Sequence, residues 1–158
     1  MSKIEAGGRI PDLVVQATDD QGFRLSELRG RNVVLYFYPK DNTPGCTTEG
    51  QDFRDHYEEF EALNAVILGV SRDSIKSHES FKVKQCFPFD LIADTDEELC
   101  QAFDVIKEKN LYGKKTMGIE RSTFLIDEQG IVRREYRKVK VDGHVLAVLR
   151  DLREIVKR

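Results

Sequence analysis

An α/β fold is predicted for this 158-residue chain, and three observations predict it. Two continuous apolar runs, Asn32 to Tyr38 and Ala65 to Ser71, read as central strands covered on both faces. Phe53, Tyr57 and Phe60 recur at helical spacing between those runs. Strand and helix patterns then alternate along the rest of the chain, which is the signature of a sheet flanked by helices.

Each element follows from its local pattern. Leu13 to Val15 and Phe23 to Leu25 flank the turn Asp19-Asp20-Gln21-Gly22 and form an N-terminal hairpin. The strand Asn32 to Tyr38 is followed by a loop, Pro39 to Gly45, and by a helix from about Cys46 to Leu63. After the strand Ala65 to Ser71, Asp73 or Ser74 caps a helix that carries Ile75 and Phe81 and stops before Pro88. Phe89 to Ala93 is a short strand, and Thr95-Asp96-Glu97-Glu98 opens a helix with Leu99, Cys100 and Phe103 inward. Lys107 to Gly118 is polar, contains two glycines and reads as an ordered loop. Ser122 to Asp127 and Ile131 to Tyr136 pair across Glu128-Gln129-Gly130, and His144 to Val156 is the last helix.

Composition narrows the class. Hydrophobic residues make up 40% and charged residues 34%, an ordinary globular balance. At this length a single domain over residues 1–158 can bury a core without disulfide staples. The net charge of −3 and the lack of a long basic block point away from nucleic acid. The locally basic stretch Arg133 to Lys140 alternates with apolar residues and reads as a solvated strand face. Met1 to Gly8 has no apolar signal core and no window approaches a membrane span, so a cytoplasmic location is expected. Three widely spaced cysteines, Cys46, Cys86 and Cys100, do not form a secreted disulfide framework. No C-x-x-C dithiol is present, and isolated His56, His78 and His144 lack zinc-ligand spacing, so neither metal nor cofactor is expected.

Thr43-Pro44-Gly45-Cys46-Thr47-Thr48-Glu49 is the stretch that carries chemistry. It sets a cysteine after a buried strand and at the start of a helix. Unpaired backbone N–H groups and the positive end of the helix dipole converge there, which favours ionisation of a thiol. Cys46 therefore reads as a nucleophile.

Pro39-x-x-x-Thr43-x-x-Cys46 resembles the active-site pattern of the peroxiredoxins, and Thr-Pro-Gly-Cys-Thr resembles their bacterioferritin comigratory protein, or peroxiredoxin Q, subfamily. Gly118-Ile119-Glu120-Arg121-Ser122-Thr123-Phe124 is similar to the segment that carries the active-site arginine in that family. The likeness runs from Ile10-Pro11 to the final helix. It implies a thioredoxin-like fold, a central mixed β-sheet flanked by helices, with the N-terminal hairpin.

It also implies a thiol-dependent peroxidase acting on hydrogen peroxide and alkyl hydroperoxides, recycled by thioredoxin or by a small-thiol or glutaredoxin reductant, and monomeric. Cys46 would be the attacking sulfur and Thr43 would offer a hydroxyl to the peroxide. The backbone N–H groups of Gly45 and Cys46 are the nearest main-chain donors. Arg121 would supply a fixed positive charge and a fork of donors. Glu49, one turn after Cys46, would orient Arg121, and Pro39 would shield the sulfur from water. Taken singly, Thr43 and Pro44 are ordinary turn residues, Arg121 a surface cation and Glu49 a solvated or capping residue. Their joint order and spacing favour the functional reading.

The chain departs from the subfamily in its recycling cysteine. Many members carry it five residues after the first, where this chain has Gln51. Others carry it on the helix containing Phe81, where the matching position here is Lys82. Cys86, one helical turn further on the same face, is the candidate resolving residue. An apolar packing role for Cys86 stands beside that reading, and Cys100 reads as core. A redox sensor or holdase using Cys46 without efficient turnover, and an interaction module with a vestigial site, are the alternatives from other classes.

Overall fold

A computed structural model describes Ile4 and residues 6–157. Part of the N-terminal segment used for the location expectation, namely Met1 to Lys3 and Glu5, lies outside the described residues. Elements follow in the order β1 (Val14–Ala17), β2 (Gln21–Arg24), β3 (Asn32–Phe37), α1 (Pro44–Asp55), α2 (Tyr57–Glu61), β4 (Ala65–Ser71), α3 (Ile75–Gln85) and β5 (Asp90–Ala93). They continue as α4 (Glu98–Ala102), β6 (Ile106–Leu111), β7 (Lys114–Ile119), β8 (Ser122–Ile126), β9 (Val132–Tyr136) and α5 (His144–Val156). A seven-stranded mixed sheet runs β2-β1-β5-β4-β3-β8-β9, with β6 and β7 as a separate two-stranded ribbon. β3 pairs parallel with β4 and antiparallel with β8, so it lies inside the sheet with a strand on each side.

The alternation of side chains along β3 builds both halves of the core. Val33, Leu35 and Phe37 join one apolar cluster with Leu99, Cys100 and Phe103 of the α4 segment. Val34, Tyr36 and Tyr38 join the other, with Phe53, Phe60, Phe81 and Leu149 from the helices across the sheet. These opposite faces are the period-two pattern of a strand buried on both sides. On β4, a Cβ at Gly69 would lie 2.8 Å from the Tyr36 ring, so glycine is what lets that tyrosine lie flat beneath the helices.

Three expectations are corrected. The continuous helix from Cys46 to Leu63 begins at Pro44 and breaks at His56, whose φ of −110° and ψ of 12° leave the helical range. The break lets Phe53 and Phe60 both bury completely, with ring centroids 5.8 Å apart. Lys107 to Gly118 is not a loop but the hairpin β6–β7, with positive φ at Tyr112 and Gly113. Those two residues make the tight turn whose twist suits a hairpin. In the first hairpin the turn centres on Asp19 and Asp20, both at positive φ, and Gly22 lies within β2. Leu25 leaves the strand and starts a short 3₁₀ turn.

Candidate active site

The loop 38–43 leaves the end of β3 and enters α1, placing Thr43 at the helix N-cap with Pro44 at the first helical position. Proline suits that position because its missing N–H would find no intrahelical acceptor there. Cys46 is then the third helical residue, 2% exposed, in the turn whose N–H groups point out of the helix end. Arg121 arrives from the short connection between β7 and β8, and its carbonyl oxygen accepts from Val139 N at 3.0 Å.

The guanidinium joins the site together. Arg121 Nη2 lies 3.4 Å from Cys46 Sγ, and Nη1 donates to Glu49 Oε1 at 2.6 Å. A Cβ at Gly45 would approach Nη2 to 3.2 Å, so glycine leaves the guanidinium its place against the helix start. Glu49 is fully buried, and among the described residues its Oε2 has no hydrogen-bond partner. Burial pushes its carboxyl up to about 7, against the opposing pull of Arg121. Burial disfavours the charge on Arg121, yet Glu49 and Cys46 outweigh it and raise its affinity for the proton.

Thr43 donates its hydroxyl to the Lys40 carbonyl at 2.8 Å, leaving the oxygen lone pairs free to accept. Pro39 is half-buried at the start of the same loop. His144, the first residue of α5, is buried, with Nε2 2.8 Å from the Thr123 hydroxyl. Burial and the nearby Arg121 charge push its imidazole down to about 4. Sequence reasoning did not connect His144 with the site. Its position as the first residue of α5 carried no signal of that contact.

Cys86, unlike Cys46, is not buried. It is an exposed free thiol that ends α3 in the left-handed conformation, with φ of 57° and ψ of 43°. The end of α3 is fastened to α1: Gln51 Nε2 donates to Gln85 Oε1 at 2.9 Å, and Arg54 Nη1 donates to the Gln85 carbonyl at 2.9 Å. Phe87 lies on Gly50, where a Cβ would come within 2.3 Å of the ring. Lys82 ion-pairs with Asp90 at 2.8 Å and Asp19 at 2.5 Å, tying α3 to β5 and the first hairpin. Cys100 is fully buried, and desolvation pushes its thiol far above the ordinary range.

The sequence profile described as AhpC/TSA family matches residues 6–135. With a thioredoxin-like sheet and a cysteine facing an arginine at a helix start, this defines the class: the chain belongs to the AhpC/TSA family. Peroxiredoxin Bcp of Bacillus subtilis is 51% identical over 152 residues, covering 96% of this chain and 97% of that protein. Peroxiredoxin Bcp of Xanthomonas campestris is 60% identical over 129 residues, 82% and 81% of the two chains.

Among solved structures, a mutant of Xylella fastidiosa PrxQ superposes with a TM-score of 0.92 at 46% identity, covering 98% of both chains. The bacterioferritin comigratory protein of Xanthomonas campestris, solved as trapped intermediate and ligand complexes bearing on alkyl peroxide reduction, gives a TM-score of 0.91 at 51% identity. That likeness covers 96% of this chain and 99% of the other. Within the family, the chain is therefore similar to the peroxiredoxins of the Bcp or Q type, which are thiol-dependent peroxidases. No helix among the described residues is long and apolar enough to cross a membrane.

Proposed function

We propose that the chain reduces hydrogen peroxide and small organic hydroperoxides through Cys46, with Thr43 and Arg121 holding the substrate and Cys86 closing the cycle. The observation that carries this reading is the Arg121 guanidinium shared between the Cys46 sulfur and the buried Glu49.

The Cys46 thiolate attacks the terminal peroxide oxygen in line with the O–O bond, and the bonding pair leaves with the other oxygen. That oxygen departs as hydroxide or alkoxide and takes up a proton to become water or alcohol, while sulfur becomes a sulfenic acid. Arg121 donates to the oxygens as charge moves onto them, and the N–H groups of Gly45 and Cys46 add to the same field. Thr43 accepts from the peroxide O–H, because its own proton is committed to Lys40. Pro39 presents no donor and covers the sulfur. The electrons come from thiols, so no cofactor enters the balance. The alkyl peroxide reduction described for the Xanthomonas protein supports the organic half of the substrate range.

Cys86 then attacks the sulfenic sulfur, expelling water and forming a Cys46–Cys86 disulfide. A dithiol such as thioredoxin, or a glutaredoxin or small thiol, reduces it. Exposure, a helix-end position and an unfavourable backbone conformation support Cys86 in this role. The end of α3 must first come away from Gly50, Gln51 and Arg54. In this reading the enzyme works as a monomer in the cytoplasm, where such reductants are kept reduced.

Mass spectrometry after one equivalent of peroxide tests the cycle, and a Cys46–Cys86 disulfide is expected. A lasting sulfenic acid or an external thiol adduct would remove Cys86 from it. Peroxide loss that stops at one equivalent despite added thioredoxin or small thiol would make the chain a sensor.

A further inference from the structure

A second polar cluster lies buried beside the loop that presents Thr43. Asp41, in the middle of that loop, has a side chain 1% exposed, and His78 on α3 is fully buried against it. The Asp41 carboxylate accepts from the Tyr38 hydroxyl at 2.6 Å and the Ser77 hydroxyl at 2.8 Å, and His78 Nδ1 lies 2.7 Å from it. His78 Nε2 lies 2.9 Å from the carbonyl oxygen of Ile92 on β5. A carbonyl oxygen only accepts, so Nε2 is the donor of that pair, and Nδ1 faces the carboxylate. Asp41, Asp73 and His78 bring ligand-type atoms within 4.8 Å of one another, but each residue is already engaged by protein partners.

The backbone shows what the cluster holds. The peptide unit between Lys40 and Asp41 has its N–H on Asp73 Oδ2 at 2.9 Å, and Asp73 in turn accepts from the Ser71 hydroxyl at 2.6 Å. The carbonyl of that same peptide unit accepts the Thr43 hydroxyl at 2.8 Å. Asn42, between them, turns the chain at a φ of 65°. Rotation of this one peptide plane would redirect the Thr43 hydroxyl. Both its N–H and the adjoining Asp41 side chain are anchored to groups on the far side of the loop.

We propose that Asp41 and His78 are positioning residues that fix the Lys40–Asp41 peptide plane and so hold the Thr43 oxygen as an acceptor toward the peroxide. This rests on the peroxidase reading above. The pair touches neither sulfur nor substrate and acts through Thr43. Preorganisation of this kind matters because a small misplacement of a positioning group can cost up to about 10²-fold in rate.

The test compares two reactions of Cys46 in the full chain, oxidation by hydrogen peroxide and alkylation by iodoacetamide. Alkylation reports a folded, accessible thiolate and makes no use of a peroxide O–H. For His78→Asn, oxidation is expected to slow by about 10- to 100-fold while alkylation is unchanged. The double variant His78→Asn with Thr43→Val is expected to be no slower than Thr43→Val alone, because the two changes remove one shared interaction. Unchanged oxidation, a parallel fall in both reactions, or independent effects in the double variant would overturn the proposal. If His78→Asn does not fold, Ser77→Ala, which removes a single donor to Asp41, decides by the same two rates. Failure of the underlying reading looks different: wild-type protein would then consume no peroxide through Cys46.

Discussion

The Arg121 guanidinium and the Cys46 sulfur stand 3.4 Å apart although 75 residues separate them in the chain. What joins them is strand register. β3 and β8 pair antiparallel with Phe37 opposite Ser122, so Arg121 sits one residue beyond the last pair, at the sheet end from which loop 38–43 departs. The first turn of α1 then brings Cys46 and Glu49 to the same guanidinium. The site is thus built at a strand end and a helix start, two rigid features, rather than on a free loop.

Cys46→Ser should abolish peroxide consumption and leave the fold intact, because a hydroxyl does not ionise near neutral pH. Cys100→Ser should turn over nearly as the wild type, since that thiol is fully buried in the opposite apolar cluster. Peroxide consumption assays on both variants check this. Activity in Cys46→Ser even a tenth of the parent's would remove the nucleophile assignment.

Arg121→Ala should slow the oxidation step by roughly 10²–10³, the usual cost of losing one donor aimed at developing charge. It also leaves Glu49 buried at 0% exposure with no cation beside it, so some loss of stability accompanies the loss of rate. Stopped-flow oxidation measures the first effect and thermal unfolding the second. An unchanged oxidation rate would take Arg121 out of the chemistry.

The parts legible in the sequence were those where one residue pattern meets one environment. β3 and β4 were visible as unbroken apolar runs, and α5 kept its ends at His144 and Val156 because Val145, Val148, Leu149 and Leu152 recur at helical spacing on its inward face. Cys46 and Arg121 were visible through a motif of fixed spacing. The β6–β7 ribbon was hidden because β7 is exposed along most of its length, which removes the alternation that marks a half-buried strand. The break at His56 was hidden because Phe53, Tyr57 and Phe60 fit an unbroken helix equally well. The Asp41–His78 pair had no local signal at all. Its members lie 37 residues apart on a loop and a helix, and only the stacking of α3 on the sheet makes them neighbours.

Two buried groups give stability opposing dependences on pH. Glu49 is raised from 4.5 to about 7 in the fold, so between those values the folded state holds a proton that the unfolded chain has lost. Its contribution is present below about 4.5 and is lost as pH rises through 7. His144 is lowered from 6.5 to about 4, so the unfolded chain holds the extra proton there, and stability from this residue is lost as pH falls through that window. The two slopes cancel between about 4.5 and 6.5. Glu49→Gln should unmask a rise of stability with pH across that range, at most about 1.4 kcal/mol per pH unit. Denaturant unfolding at a series of pH values reads it, and a flat profile in the variant would contradict the opposition.

Cys86 occupies a position that glycine would fill at lower cost. Its left-handed backbone, with φ of 57°, brings a β-carbon too close to the following carbonyl, a strain of roughly 1–2 kcal/mol. Glycine relieves that strain, and the greater freedom it gives the unfolded chain takes back about 0.5–1 kcal/mol. Cys86→Gly should therefore stabilise the protein by a net amount on the order of 0.5–1 kcal/mol, raising Tm by a few degrees at most. Cys86→Ser keeps the β-carbon and should not. Both variants should still react once with peroxide, and both should lose thioredoxin-supported turnover if Cys86 resolves Cys46. The strain then has a consequence for the cycle: unwinding the last turn of α3 to carry Cys86 toward Cys46 releases it, partly offsetting the contacts of Phe87, Gln51 and Arg54 that must break. Full turnover in Cys86→Ser would instead establish a one-cysteine cycle served by an outside thiol, and the cysteine in place of glycine would be a helix cap and nothing more.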